Sequence, residues 1–76
     1  MIDHDKAMKK WKAEFGKEQD TKDSKGRLLK KAAYGDRNSQ YGWELHHIKP
    51  KSKGGTDAFD NLAIVHWQTH DEIHGR

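Results

Sequence analysis

Trp43-Glu44-Leu45-His46-His47-Ile48-Lys49-Pro50 is the stretch on which the reading of this 76-residue chain turns. From Trp43 to Ile48 apolar and polar residues mix in the manner of a short strand that exposes its polar members on one side, and Pro50 ends it. Working outward, Lys51 to Asn61 reads as a loop holding the Gly54-Gly55 pair, and Leu62 to Val65 as a second short strand. Trp67 to about His74 reads as a closing helix, in which Thr69, Asp71 and Glu72 are polar while Trp67 and Ile73 can face the core.

Five of the six histidines fall between residues 46 and 74. His70 and His74 are four apart, which on a helix puts both rings on one face, one turn apart. That spacing lets two imidazoles share a divalent ion, although an ordinary solvated helix face produces the same pattern. A metal site needs a further ligand from elsewhere, and His46-His47 supplies candidates. Neighbours on a strand point to opposite faces, so one ring can meet a metal while the other works as a general base. An imidazole with an ordinary pKa near ~6.5 suits proton abstraction around neutral pH. Three histidines with coordination positions left open describe a catalytic metal rather than a structural one. His66 reads as a supporting or helix-start residue, and His4 as a surface one.

Upstream, Met8, Trp11 and Phe15 form one apolar stripe on a helix from about Asp5 to Phe15. Asp3 or Asp5 can cap its start and Gly16 can end it. Residues 17–26 contain no apolar side chain and read as a loop. Residues 27–34 fit either a short strand or a helical turn, and Gly35 to Gly42 a polar turn. Trp11, Trp43 and Trp67 are expected in the core, with base stacking as their other possible use.

At this length a single domain is expected, residues 1–42 forming a helix and basic lead-in and residues 43–76 the histidine-bearing unit. A chain this short buries only about 60% of its unfolded surface. With 32% hydrophobic and 36% charged residues, a bound metal would help it fold. The absence of cysteine excludes disulfides and thiolate-held zinc. Leu62 to Val65 is the longest apolar run, too short to span a bilayer, and no signal peptide opens the chain. A cytoplasmic domain with no membrane partner is the expectation. Residues 1–42 carry net +4 and residues 43–76 net −1. Basic charge fits a nucleic-acid partner and equally a solvated lysine surface. Lys49, Lys51 and Lys53 fit either contacts to phosphates or a solvated loop.

Taken in order, Trp43 to Pro50, then Lys53-Gly54-Gly55-Thr56, then Asp60-Asn61-Leu62, then His70 and His74, closely resemble the HNH (His-Me finger) endonucleases. The spacings agree: 14 residues from His47 to Asn61 and 24 from His46 to His70. The likeness is strong over residues 43–74 and weaker back through Asp23 to Gly42, at Gly26-Arg27, Tyr34-Gly35 and Tyr41-Gly42-Trp43. It implies an α+β domain built on a ββα-metal hairpin and helix, preceded by the N-terminal helix and an irregular basic segment. It implies His46 as a metal ligand, His47 as the base that activates water, and Asn61 as a brace that orients His47. It implies His70 and His74 as the remaining ligands. It also implies hydrolysis of DNA to 5′-phosphate and 3′-hydroxyl ends with one divalent metal, among Zn, Ni, Mn, Co and Mg. Histidine at both helix positions, and at position 46 where many relatives have Asp, resembles the colicin-type DNases. Phage-type relatives with the same Trp-Glu lead-in carry Asn and Lys on the helix, so this chain mixes two subtypes.

Two other functions fit parts of the pattern. A non-catalytic DNA-binding module with a structural three-histidine metal would explain the charge and the thin core, but not a base-ready histidine or the Asn61 brace. The nuclease tip of a secreted toxin, neutralised by an immunity protein, would keep the chemistry; a start at Met1 weighs against it.

Overall fold

The computed structural model describes residues 4–75. Helix α1 spans His4–Phe15. Asp3, one of the two expected caps, lies outside the described residues, and Asp5 sits in the first turn, where a carboxylate meets the positive end of the helix dipole. Ala7 and Trp11 are fully buried, with Met8 and Phe15 partly buried beside them. Gly16, at φ +62°, ends the helix as expected. Lys10 lies on the buried side too, and its ammonium donates to the Phe59 carbonyl at 2.8 Å and pairs with Glu14 at 2.8 Å.

The segment expected to be a loop over residues 17–26 instead contains a strand. β1 (Asp20–Lys22) pairs antiparallel with β2 (Leu28–Lys30), and a 3-10 turn follows over Lys31–Ala33. The apolar signal is missing because β1 buries no apolar side chain. Its hairpin is organised by Asp23, whose Oδ1 accepts from the backbone N–H groups of Lys25 and Arg27 at 2.9 and 3.0 Å. Residues 27–34 hold both of the elements between which the sequence left a choice.

β3 (Trp43–His47) and β4 (Leu62–His66) form the second antiparallel hairpin, with Leu45 opposite Ile64 and His46 opposite Ala63. Paired residues share a face, so alternation divides the hairpin. Trp43, Leu45, Leu62 and Ile64 turn toward α1 and build the core with Ala7, Trp11 and Leu29. The rings of Trp11 and Trp43 lie 4.9 Å apart, and each indole N–H reaches a backbone carbonyl, of Glu18 and Lys30 respectively. Glu44 and His46 fall on the other face, toward the closing helix α2 (Trp67–Ile73). The architecture is α+β, and its last three elements are the expected ββα unit.

α2 does not bury the side chains expected. Ile73 is 49% exposed and Trp67 only half-buried, whereas Thr69 is fully buried. Seven residues make a helix too short to stand alone, and polar anchors hold it. His66 caps its start, accepting from the Gln68 N–H at 3.0 Å through Nδ1 while Nε2 donates to the Gln40 carbonyl at 2.8 Å. Arg27 donates to Thr69 at 2.8 Å and forks onto both oxygens of Glu72 at 2.9 and 2.8 Å. Asp23 Oδ2 accepts from the buried His66 N–H at 3.0 Å.

Asp23 thus joins the first hairpin to the start of α2. Burial acts to raise its pKa, but the hydrogen bonds from Thr69 and from the backbone of His66, Arg27 and Lys25 prevail and lower it. A carboxyl depressed in the folded state contributes stability above its unfolded value near ~3.9 and loses it as pH falls through that value toward the folded one. Asp23→Ala strands several donors and is expected to cost about 2 kcal/mol. In a domain this size that lowers the melting temperature by roughly 8–16 °C at pH 7. The difference from wild type should shrink below about pH 4, and thermal melts at the two pH values check both points.

Candidate active site

The β3–α2 contact brings three histidines together. His46 projects from β3, His70 from the last turn of α2, and His74 from the residue that closes it. Ring centroids are 5.4 Å apart for His46 and His70, 5.3 Å for His46 and His74, and 4.7 Å for His70 and His74. Each offers a ring nitrogen, and the three nitrogens lie within 4.8 Å of one another. Imidazole nitrogens around one tetrahedral ion sit roughly 3.4 Å apart, so small ring movements close this cluster.

Two further observations fit a cation here. His46 Nδ1 is buried with no hydrogen-bond partner, a costly state that a bound ion relieves. Burial, and then the charges that His70, His74 and His47 can carry, push the His46 pKa down and keep the ring in its neutral, ligating form. His70 is oriented from behind: its Nδ1 lies 2.9 Å from Glu44 Oε1. Burial alone would raise the Glu44 carboxyl, but hydrogen bonds from Arg37 and His70 outweigh it and hold the group down. An ionised carboxylate only accepts, so the His70 proton sits on Nδ1 and Nε2 keeps its lone pair for a metal. Arg37 clamps Glu44 with two bonds of 2.8 Å and reaches Asp71 on α2 at 2.9 Å.

Glu44 and Arg37 were absent from the residues picked out by sequence. For Glu44 a signal existed: it stands two residues before His46 on a strand and so shares its face. Arg37 lies in a polar turn whose path no local pattern fixes.

His47 points away from the cluster, as strand alternation requires, yet stays beside it. A cleft of about 340 Å³ is lined by His47, Leu45, Asp57 and Lys51 and also by Glu44 and His70. A larger depression of about 430 Å³ contains none of the histidines. His47 Nε2 lies 2.6 Å from Asp57 Oδ1.

Asn61 does not touch the three-histidine cluster. Its Oδ1 accepts from the Lys49 N–H at 2.8 Å, and its Nδ2 donates to the carbonyls of Lys49 at 3.1 Å and Thr56 at 2.7 Å. It therefore pins the two ends of the loop that follows His47. Gly54 and Gly55 let that loop turn: Gly54 adopts φ +88°, and a Cβ on Gly55 would collide with the Lys49 carbonyl. Of the three loop lysines, Lys51 pairs with Asp57 Oδ2 at 3.0 Å. Lys49 and Lys53 are exposed.

The HNH endonuclease family model matches residues 33–76, more than half of the chain, and the chain belongs to that family. Over 38 residues, 50% of the chain, it is 45% identical to a probable mobile endonuclease C of Enterobacteria phage T4. The matched stretch is 18% of that relative's length. No solved structure matches the chain. No helix among the described residues is long and apolar enough to cross a membrane.

Proposed function

We propose that this chain is a metal-dependent endonuclease domain that hydrolyses DNA phosphodiester bonds, leaving 5′-phosphate and 3′-hydroxyl ends. The observation that carries this reading is the convergence of His46, His70 and His74, with His70 sharing a cleft with His47. His46, His70 and His74 would hold one divalent ion, which would supply Lewis-acid stabilisation of charge developing on the phosphate and the leaving oxygen. An all-imidazole set suits Zn²⁺, Ni²⁺, Co²⁺ or Mn²⁺ better than Mg²⁺.

The remaining work falls to side chains of this chain. His47 accepts a proton from the attacking water at its free ring nitrogen. Asn61 holds the loop that carries this arrangement, and Glu44 fixes the His70 ring. Lys49 and Lys53, both exposed beside the loop after His47, would contact phosphates flanking the cut. The Lys51 charge is engaged by Asp57 and contributes less there. Glu44→Gln removes the charge behind His70 and is expected to weaken metal affinity about 10- to 100-fold, as calorimetric titration with Zn²⁺ would show.

Incubation of supercoiled plasmid with the domain and Mn²⁺ tests the function. Nicked circles that a DNA ligase reseals without prior kinase treatment are the expected product. Nicks that need end repair would contradict the proposed chemistry. Tight, metal-dependent DNA binding without any nick would point instead to a DNA-binding module with a structural metal.

A further inference from the structure

Asp57 sits in the loop between Gly55 and Asn61, beside His47. Its two oxygens are both engaged: Oδ1 is 2.6 Å from His47 Nε2, and Oδ2 is 3.0 Å from the Lys51 ammonium. The hydrogen bond from His47 and then that from Lys51 hold its carboxyl down at about 2, so the group is ionised at neutral pH. A carboxylate only accepts hydrogen bonds, so the short contact requires a proton on His47 Nε2. In the neutral ring the lone pair then lies on Nδ1. The contact is built in from both sides. Asn61 grips Lys49, two residues after His47, and Thr56, one residue before Asp57.

We propose that Asp57 is a positioning residue for the nuclease reaction, fixing the His47 ring and its tautomer so that Nδ1 takes the proton from the attacking water. The proposal rests on His47 being the base. As the water oxygen bonds to phosphorus, its proton passes to Nδ1. The bond from phosphorus to the 3′ oxygen breaks, its electron pair stays on that oxygen, and solvent protonates it to the hydroxyl. The imidazolium formed keeps its Nε2–H on an ionised carboxylate, which orients it and stabilises its charge. Lys51 keeps the second carboxylate oxygen occupied and so prevents Asp57 from turning away.

Lys51 also makes the test sharp. In Asp57→Asn the cation claims the amide oxygen and leaves the NH₂ facing His47. An NH₂ donates, so the ring must move its proton to Nδ1 and lose its base. Asparagine is isosteric and would satisfy a merely structural role. We expect Asp57→Asn to lower kcat for plasmid nicking in Mn²⁺ at least about 100-fold, with KM for DNA and the melting temperature close to wild type. Asp57→Glu should recover part of the loss. Histidine side-chain ¹⁵N spectra should show His47 unprotonated at Nδ1 in the wild type and reversed in Asp57→Asn. In a His47→Ala background, Asp57→Asn should add nothing. Wild-type kcat in Asp57→Asn, or an equal further loss in the His47→Ala background, overturns the proposal while leaving His47 as the base. Wild-type cleavage by His47→Ala removes the base reading and this proposal with it.

Discussion

His47→Ala is expected to cut DNA about 10²- to 10⁴-fold more slowly than wild type while binding metal with unchanged affinity. The size is that of a lost general base, and the split follows from the strand. Alternation sends His46 toward α2 and His47 to the opposite side, so removing one ring leaves the other's contacts standing. His46→Ala should show the reverse pattern, losing affinity first and activity as a consequence. Calorimetry with Zn²⁺ and single-turnover nicking on both variants separate the roles. If His47→Ala lost metal binding as His46→Ala does, the assignments would have to be exchanged.

Metal should also govern the fold's stability. Two of the three proposed ligands lie in or just after a seven-residue helix at the C-terminal end of the described chain. A helix that buries only Thr69 gains little from apolar packing, and chain ends fray unless tied down. An ion shared with His46 ties α2 to β3, so binding energy adds directly to folding energy. At a free concentration a hundredfold above Kd the gain is about 2.7 kcal/mol. For a domain of this size that raises the melting temperature by roughly 11–22 °C. His74→Ala should remove most of this gain. His66→Ala should leave the metal-induced rise intact while lowering the starting temperature, because His66 caps α2 and bonds Gln40 rather than joining the cluster. A melting temperature indifferent to Zn²⁺ and EDTA would contradict the three-histidine site.

What the sequence made legible depended on whether a pattern was local. The stripe of Met8, Trp11 and Phe15 announced α1 because helical period and burial coincide there. The histidines at 46, 70 and 74 could be grouped because a strand, a loop and a helix of recognisable length separate them, and the structure does bring them together. β1 was hidden because its hairpin is organised by a buried carboxylate rather than by apolar alternation. Ile73 was misplaced because helical period predicts a core face, whereas α2 is held by Arg27, Asp23 and its cap. Asp57 and Arg37 act across loops whose course only the folded chain reveals. Asp57 stands one residue beyond the Lys53-Gly54-Gly55-Thr56 stretch that drew attention to that loop.

The central claim is that His46, His70 and His74 hold one ion on which cleavage depends. Its most direct test is plasmid nicking by domain stripped with EDTA, dialysed, and titrated with Mn²⁺ beside a His46→Ala, His70→Ala double variant. Background nicking after stripping, recovery that saturates at one bound ion per chain, and no recovery in the double variant are the expected results. Nicking that persists in excess EDTA, or returns equally in the double variant, would contradict it.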